Sequence, residues 1–491
     1  MAFGLVSPLR GYPGGECQVA ISSRELRCDG EQNSSRRVRL VGVLRRQSTP
    51  VPALISALAR SLMAGEPAID GVHARLIRTL GRPWRWLEPL AHRYADAFSG
   101  HTRPRHRDVI RFLIDDAGFQ RARRAHRDKL SIAEWIPEPQ RMHPVAAALQ
   151  WDLPTIETAG DLAAWLSLYP TELEWFADLK GLGYKVNNPK LQHYHYSVRT
   201  KRSGGVRLIE SPKPDMKELQ RRILAAILDR IPAHPAVHGF VKGRSVVTYA
   251  SPHVGQEVLL RLDLQDFFPS FPGARAQAMF RTLGYPEQVA DRLGGICTNA
   301  VPGHVWKNRS LEISAEQWRQ ARVLYARPHL PQGAPTSPAL ANIMAFRLDC
   351  RLTGLARTAG AVYTRYADDL AFSGGEEFSR VADRFSIHAA AIALEEGFSV
   401  NHHKTRIMRQ GVRQNLAGIV VNRKINLRRA DLELLEATLI NCVRRGPGSQ
   451  NRAGVPDFRA HLAGRIGFVE MIDSAKAERL RAIFEMIEWE R

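Results

Sequence analysis

Residues 257–268, EVLLRLDLQDFF, alternate Val258, Leu260, Leu262 and Leu264 with Leu259, Arg261, Asp263 and Gln265. Period two predicts a β-strand with the first set on one sheet face and Asp263 on the other. A carboxylate on so apolar a strand is costly unless it is paired or holds a metal ion. Asp263 is therefore a candidate site residue.

The flanking sequence gives this strand neighbours. In PQGAPTSPALANIMAFRLDCRL (331–352), Ser337 and Pro338 are expected as N-cap and first helical residue, with Leu340, Met344 and Leu348 on the buried side. AVYTRYADDLAFS (361–373) reads as two short strands joined at Asp368-Asp369. A helix through 379–396 should end at Gly397, and FSVNHHKTRIM (398–408) should return as a strand. The order β-α-β-β-α-β is the split arrangement of ferredoxin-like domains. It makes the Asp263 strand a neighbour of the Asp368-Asp369 hairpin, so that three carboxylates can converge. Left alone, such a cluster repels and raises its own pKa values. Divalent cations remove the conflict, and Mg²⁺ suits hard oxygen ligands while keeping positions for water or phosphate. Two ions about 3.5–4 Å apart can activate an attacking hydroxyl and steady a leaving pyrophosphate. An Asp-Asp pair by itself equally describes a solvated turn, and Asp263 a hydrogen-bonded buried acid; the combination in this order is what points to metal and phosphate. A near echo, RYADAFSG (93–100), has one aspartate. Leu87, Leu90, Ala91, Tyr94 and Phe98 recur around it at helical spacing, which puts Asp96 on a helix.

Further out, HYHYSVRTKRSGGVRLIES (193–211) predicts a basic hairpin turning at Ser203-Gly204-Gly205. The helix after it carries one stripe of Met216, Leu219, Ile223, Leu224, Ile227, Leu228 and Ile231. Residues 1–50 read as a basic flexible arm, 51–140 as a helical N-terminal extension, 141–190 as a linker with lead-in helices, and 427–491 as helical. Seventy Lys+Arg against 49 Asp+Glu in 491 residues give a net charge of +21, which suits a polyanionic partner. Five scattered cysteines without a CxxC pair suggest neither a disulfide framework nor a zinc site, and so a reducing cytoplasm. With no run of 18 apolar residues and no signal peptide, a cytoplasmic protein without membrane partners is expected. His193/His195 and His402/His403 lack cysteine partners or an HExxH pattern and read as RNA-facing or structural.

Taken in order, these segments resemble a reverse transcriptase over roughly 190–425. RLDLQDFFPS (261–270) is similar to the family's first catalytic strand, and PQGAPTSPALAN (331–342) to its nucleotide-and-template helix. YADD (366–369) is similar to the catalytic hairpin, GFSVNHHKT (397–405) to the lysine-bearing element, and NLAGIVVN (415–422) to the primer grip. HGFVKGRSVV (238–247), FFPS and PQGAPTSP fit bacterial retron enzymes better than group II intron proteins. The length of the N-terminal extension is similar to that of some myxobacterial retron enzymes. Two retron hallmarks read differently: Tyr249-Ala250-Ser251-Pro252-His253 stands for Asn-Ala-x-x-His, and Leu416-Ala417-Gly418 for Val-Thr-Gly.

The resemblance implies an α+β right-hand polymerase with fingers and a ferredoxin-like palm over 191–426 and a helical thumb over 427–491. It implies RNA-directed DNA synthesis with two Mg²⁺ ions, held by Asp263 and Asp368 with Asp369 as a supporting carboxylate. Backbone near Gln265 and Asp266 would meet the dNTP triphosphate, which Arg207 with Lys201 or Arg202 would clasp. Phe268 would lie under the sugar, Gln332 and Gly333 would line the nascent pair, and Lys404 would protonate pyrophosphate. The partners implied are a structured noncoding RNA as template and 2′-hydroxyl primer, the RNA–DNA hybrid product, and a separate effector protein in antiphage defence. An intron-type enzyme with maturase activity, a non-catalytic RNA-binding scaffold and a template-independent polymerase are the alternatives.

Overall fold

The computed structural model describes residues 50–98, 104–185, 188–201, 205–307 and 313–489. The expected arm at 1–50 thus lies outside the described residues except for Pro50, as do Arg202, Ser203 and Gly204. The longer strands are β1 (Tyr194–Thr200), β2 (Val206–Pro212), β3 (Val258–Asp263), β4 (Val362–Tyr366), β5 (Asp369–Gly374) and β6 (Arg406–Arg409).

The alternating segment forms β3, in the interior of an antiparallel sheet of order β4-β5-β3-β6. With helices Gly273–Thr282 and Glu287–Cys297 among those between β3 and β4, and helix Glu376–Glu395 between β5 and β6, this is the ferredoxin-like order. Val258, Leu260, Leu262 and Leu264 enter the largest core, where they meet Phe378, Phe385 and Ala389 of the Glu376–Glu395 helix and Leu348 and Leu352 of helix Phe346–Thr358. Leu259, on the other face, packs with Tyr249, Ala250, Ala371, Leu416, Ile419 and Val421. The sheet is therefore covered on both faces, and the carboxylates gather at the end of β3.

Three expectations are corrected. Thr336, not Ser337, occupies the N-cap position of helix Ser337–Met344; the Ser337 hydroxyl instead donates to the Pro331 carbonyl at 2.7 Å. The apolar run beyond it is two helices, since the first ends at Ala345 before Phe346–Thr358 begins. The returning strand is short: only Arg406–Arg409 pairs as a strand, and 402–404 form a turn.

Hairpin β1–β2 buries Val206 and Leu208 against Trp306, Trp318 and Tyr325. Helices Val51–Met63, Ile69–Leu80, Leu87–Phe98, His106–Asp115 and Ala117–Ala125 carry a separate core, with Asp96 on the third. Arg105 joins them to the sheet-bearing part through Gln277 at 3.0 Å and Asp291 at 3.2 Å. Helices Arg429–Arg445, Phe458–Glu470 and Ser474–Glu485 form a third core around Leu439, Leu462 and Leu480. Among the described residues, no helix is long and apolar enough to cross a membrane.

Candidate active site

Asp263 is the last residue of β3 and lies directly opposite Asp369, the first residue of β5. Asp368 sits in the turn between β4 and β5, where Ala367 has φ 57° and the Asp368 carbonyl accepts from the Leu264 N–H at 2.9 Å. Register thus brings the three aspartates to one end of the sheet.

A buried clamp fixes the turn. The Arg365 guanidinium, with no exposure, donates through Nε and Nη2 to Asp349 at 2.7 Å each. Its Nη1 donates to Asn342 Oδ1 at 3.1 Å and to the Ala367 carbonyl at 3.2 Å. Asn342 in turn donates to the Gly239 carbonyl at 2.9 Å. Gly239 lies so close to the hairpin that a Cβ there would meet the Ala367 nitrogen at 2.6 Å. Arg365, Asp349, Asn342 and Gly239 were not singled out from sequence. The available signal was an arginine on a short strand otherwise built for burial.

The electrostatics divide the three acids. Asp369 receives two guanidinium nitrogens of Arg261, at 2.7–2.9 Å. Asp263 receives Lys404 Nζ at 2.9 and 3.1 Å, which the 402–404 turn makes possible. Asp368 forms no ion pair among the described residues, and burial together with Asp369 and Asp263 pushes its carboxyl up to about 6. Burial also raises Asp369, against the pull of Arg261. Among the described residues no group of three or more His, Cys, Asp or Glu side chains is disposed to hold an ion, and Asp369 is already paired with Arg261. Asp263, paired with Lys404, and Asp369, paired with Arg261, flank Asp368, and all three are hard oxygen donors. A buried carboxyl whose charge lacks a partner fits a site completed by a cation with water or phosphate oxygens.

The residues expected around a nucleotide are placed as follows. Lys201 Nζ donates to Asp266 at 2.7 Å, tying the end of β1 to the segment after β3. Arg207 is exposed on β2, opposite Arg199 of β1. The Gln265 N–H, one of the backbone groups expected near a triphosphate, donates to the Ser399 carbonyl at 2.7 Å. The Gln332 carbonyl accepts from the Glu210 N–H at 2.9 Å. Gly333 has φ 133°, and a Cβ there would lie 2.8 Å from the Glu210 carbonyl, so β2 itself requires the glycine. Phe268 is half-buried, with ring centroids 5.6 Å from Phe267 and 6.1 Å from Phe240, while Phe267 is buried in the core. Phe240, missed in the sequence, is 49% exposed with φ 60°, a strained conformation beside Phe268 and Tyr366. His193 bonds the Trp175 carbonyl, and His402 and His403 are exposed.

Both departures from the retron hallmarks fall in one cluster, where Tyr249 packs with Leu416 and Ile419. His253 nearby is buried between Ser373 Oγ and Thr364 Oγ1, at 2.6 Å each, and burial pushes it down to about 3, so it is neutral.

The comparisons agree with this geometry. The family "Reverse transcriptase (RNA-dependent DNA polymerase)" matches residues 198–425. The retron Mx65 reverse transcriptase of Myxococcus xanthus is 40% identical over 341 residues, covering 68% of this chain and 73% of that protein. The retron Mx162 enzyme of the same species is 34% identical over 67% of each chain. The retron Ec86 reverse transcriptase of Escherichia coli is 30% identical over 60% of this chain and 82% of that one. With its acids at the end of a ferredoxin-like sheet and this identity to retron enzymes, the chain belongs to the retron-type reverse transcriptases, RNA-directed DNA polymerases of the α+β right-hand fold.

Proposed function

We propose that this polymerase copies a structured noncoding RNA from a guanosine 2′-hydroxyl of that same RNA and leaves a branched RNA-linked single-stranded DNA. The observation that carries the reading is the gathering of Asp263, opposite Asp369, with a buried Asp368 that forms no ion pair among the described residues, at one end of the sheet. Asp263 and Asp368 would hold divalent metal, with Mg²⁺ the natural ion and Asp369 in support. When bound, the metal supplies charge neutralisation for the attacking hydroxyl and the leaving pyrophosphate. The chain's own residues do the rest. Arg261 holds the Asp369 carboxylate, and Arg365 keeps the turn in place.

Lys404, 2.9 Å from Asp263, is the proposed proton donor to pyrophosphate. Arg207 and Lys201 clasp the triphosphate, with Asp266 giving up Lys201 as the nucleotide arrives. Phe268 excludes a ribose 2′-hydroxyl, and Gln332 and Gly333 line the nascent pair. The N-terminal helices and the helices after residue 427 flank the fingers and palm. The protein acts in the cytoplasm, in antiphage defence with a separate effector protein.

The test is the nucleic acid that copurifies when the protein is expressed with its flanking DNA. A short DNA absent from Asp368→Asn, whose mobility shifts on RNase and on debranching, is expected. RNA without DNA in both proteins would refute branched synthesis.

A further inference from the structure

Strand β2 alternates Val206, Leu208, Glu210 and Pro212 into the interior, so a glutamate stands where an apolar residue belongs. Glu210 has no exposed surface and His329 1%. Glu210 accepts from Asn299 Nδ2 at 2.7 Å and faces His329 Nε2 at 2.9 Å. The other ring nitrogen, His329 Nδ1, faces the Arg327 carbonyl at 2.7 Å. A carbonyl has no proton to give, so Nδ1 carries one. Between Nε2 and the carboxylate there must be a second, and the pair is one buried imidazolium–carboxylate unit sharing that proton.

Three segments meet in this unit. Glu210 belongs to β2, Asn299 follows helix Glu287–Cys297, and His329 leads into Pro331–Gly333. Asn299 and His329 exchange both backbone hydrogen bonds at 3.0 Å, and Asn299 Nδ2 also reaches the Tyr196 hydroxyl at 3.1 Å. The backbone of Glu210 seats the next turn: its N–H donates to Gln332, and its carbonyl abuts Gly333. The residue that binds His329 is the one against which the Gln332-Gly333 turn rests.

We propose that Glu210 and His329 are positioning residues, a proton-held latch that seats the Gln332-Gly333 turn against β2 and so sets nucleotide affinity. This rests on the reading of that turn as the lining of the nascent pair. Burial works against the imidazolium, but the Glu210 carboxylate and the Arg327 carbonyl outweigh it, and His329 titrates above its ordinary value. The latch is whole below that value and opens as pH rises through it, when two acceptors are left facing each other. The other titratable groups facing the pair are Tyr194, Tyr196 and Tyr325, all raised by burial. Cys297 beside Tyr194 is pushed up to about 12, and Asp266 and Arg207 lie beyond Tyr325. The tyrosines and Cys297 stay neutral through the range in which the latch opens.

Glu210→Gln separates charge from contact. Its amide can donate to a neutral His329 Nε2 and its oxygen can still accept from Asn299. Steady-state incorporation by the full chain should show the wild-type KM for dNTP rising about fivefold or more between about pH 6.5 and pH 9, with Glu210→Gln flat over the same range. The ¹⁵N signals of the His329 ring should show two N–H groups in wild type at neutral pH and one in Glu210→Gln. This second readout needs no nucleotide, so it separates failure of the latch from failure of the nucleotide reading. Superimposable KM profiles, or a singly protonated wild-type ring beside an ionised Glu210, would overturn the latch.

Discussion

Asp368 is ionised at neutral pH only at a cost to the fold. Its carboxyl stands at about 6 in the folded chain against an ordinary 3.8. That gap corresponds to about 3 kcal/mol of destabilisation when the group is charged in both states. The sign follows from the direction of the shift: an acid raised by folding weakens the fold above its folded pKa, and the penalty fades as pH falls towards the ordinary value. Asp368→Asn should therefore stabilise the metal-free protein by up to about 3 kcal/mol at pH 7.5. The gain should vanish near pH 4, as read by urea unfolding in EDTA. Divalent cation should stabilise wild type and leave the variant unchanged. A residue that weakens the fold and carries the activity is the expected signature of a site shaped for a bound ion.

At the scale of the element, the Asp368 turn is held from beneath by Arg365 and Asp349. Removing one partner of a fully buried pair leaves an uncompensated charge, so Asp349→Ala should cost about 3–5 kcal/mol. Gly239→Ala acts from the other side, since its methyl would fall 2.6 Å from the Ala367 nitrogen. It should cost about 1–3 kcal/mol and reduce incorporation through displacement of Asp368. Both are checked by chemical denaturation alongside single-nucleotide extension.

These elements also show what a sequence can carry. Strand β3 was legible because its period of two is written into neighbouring residues, and the same period puts Arg261 on the face of Asp263. The Arg365–Asp349 pair was not, because it joins a strand to a helix 16 residues away and nothing local requires it. Lys404 reaches Asp263 because the returning chain turns at 402–404 instead of running straight, a departure from the strand that the sequence suggested. Gly333 was expected only to line the nascent pair, and the neighbour that requires a glycine there is β2.

For the whole molecule, the described residues build separate apolar cores. The N-terminal helices, the central sheet with its helices, and the last three helices each bury their own apolar cluster. A chain of +21 net charge carries them, which suits a long polyanionic partner lying across more than one. On this reading the assembly makes DNA on RNA with Asp263 and Asp368 at the chemistry. The most direct measurement is incorporation of dNTP on an RNA template by purified wild type and Asp368→Asn, with Mg²⁺ titrated from none and RNA affinity measured in parallel. Wild type should extend only with the cation and the template. The variant should lose about 10³-fold or more in rate while binding RNA as tightly. Incorporation by Asp368→Asn within about tenfold of wild type, or synthesis by wild type in EDTA, would rule out metal-dependent chemistry at Asp368.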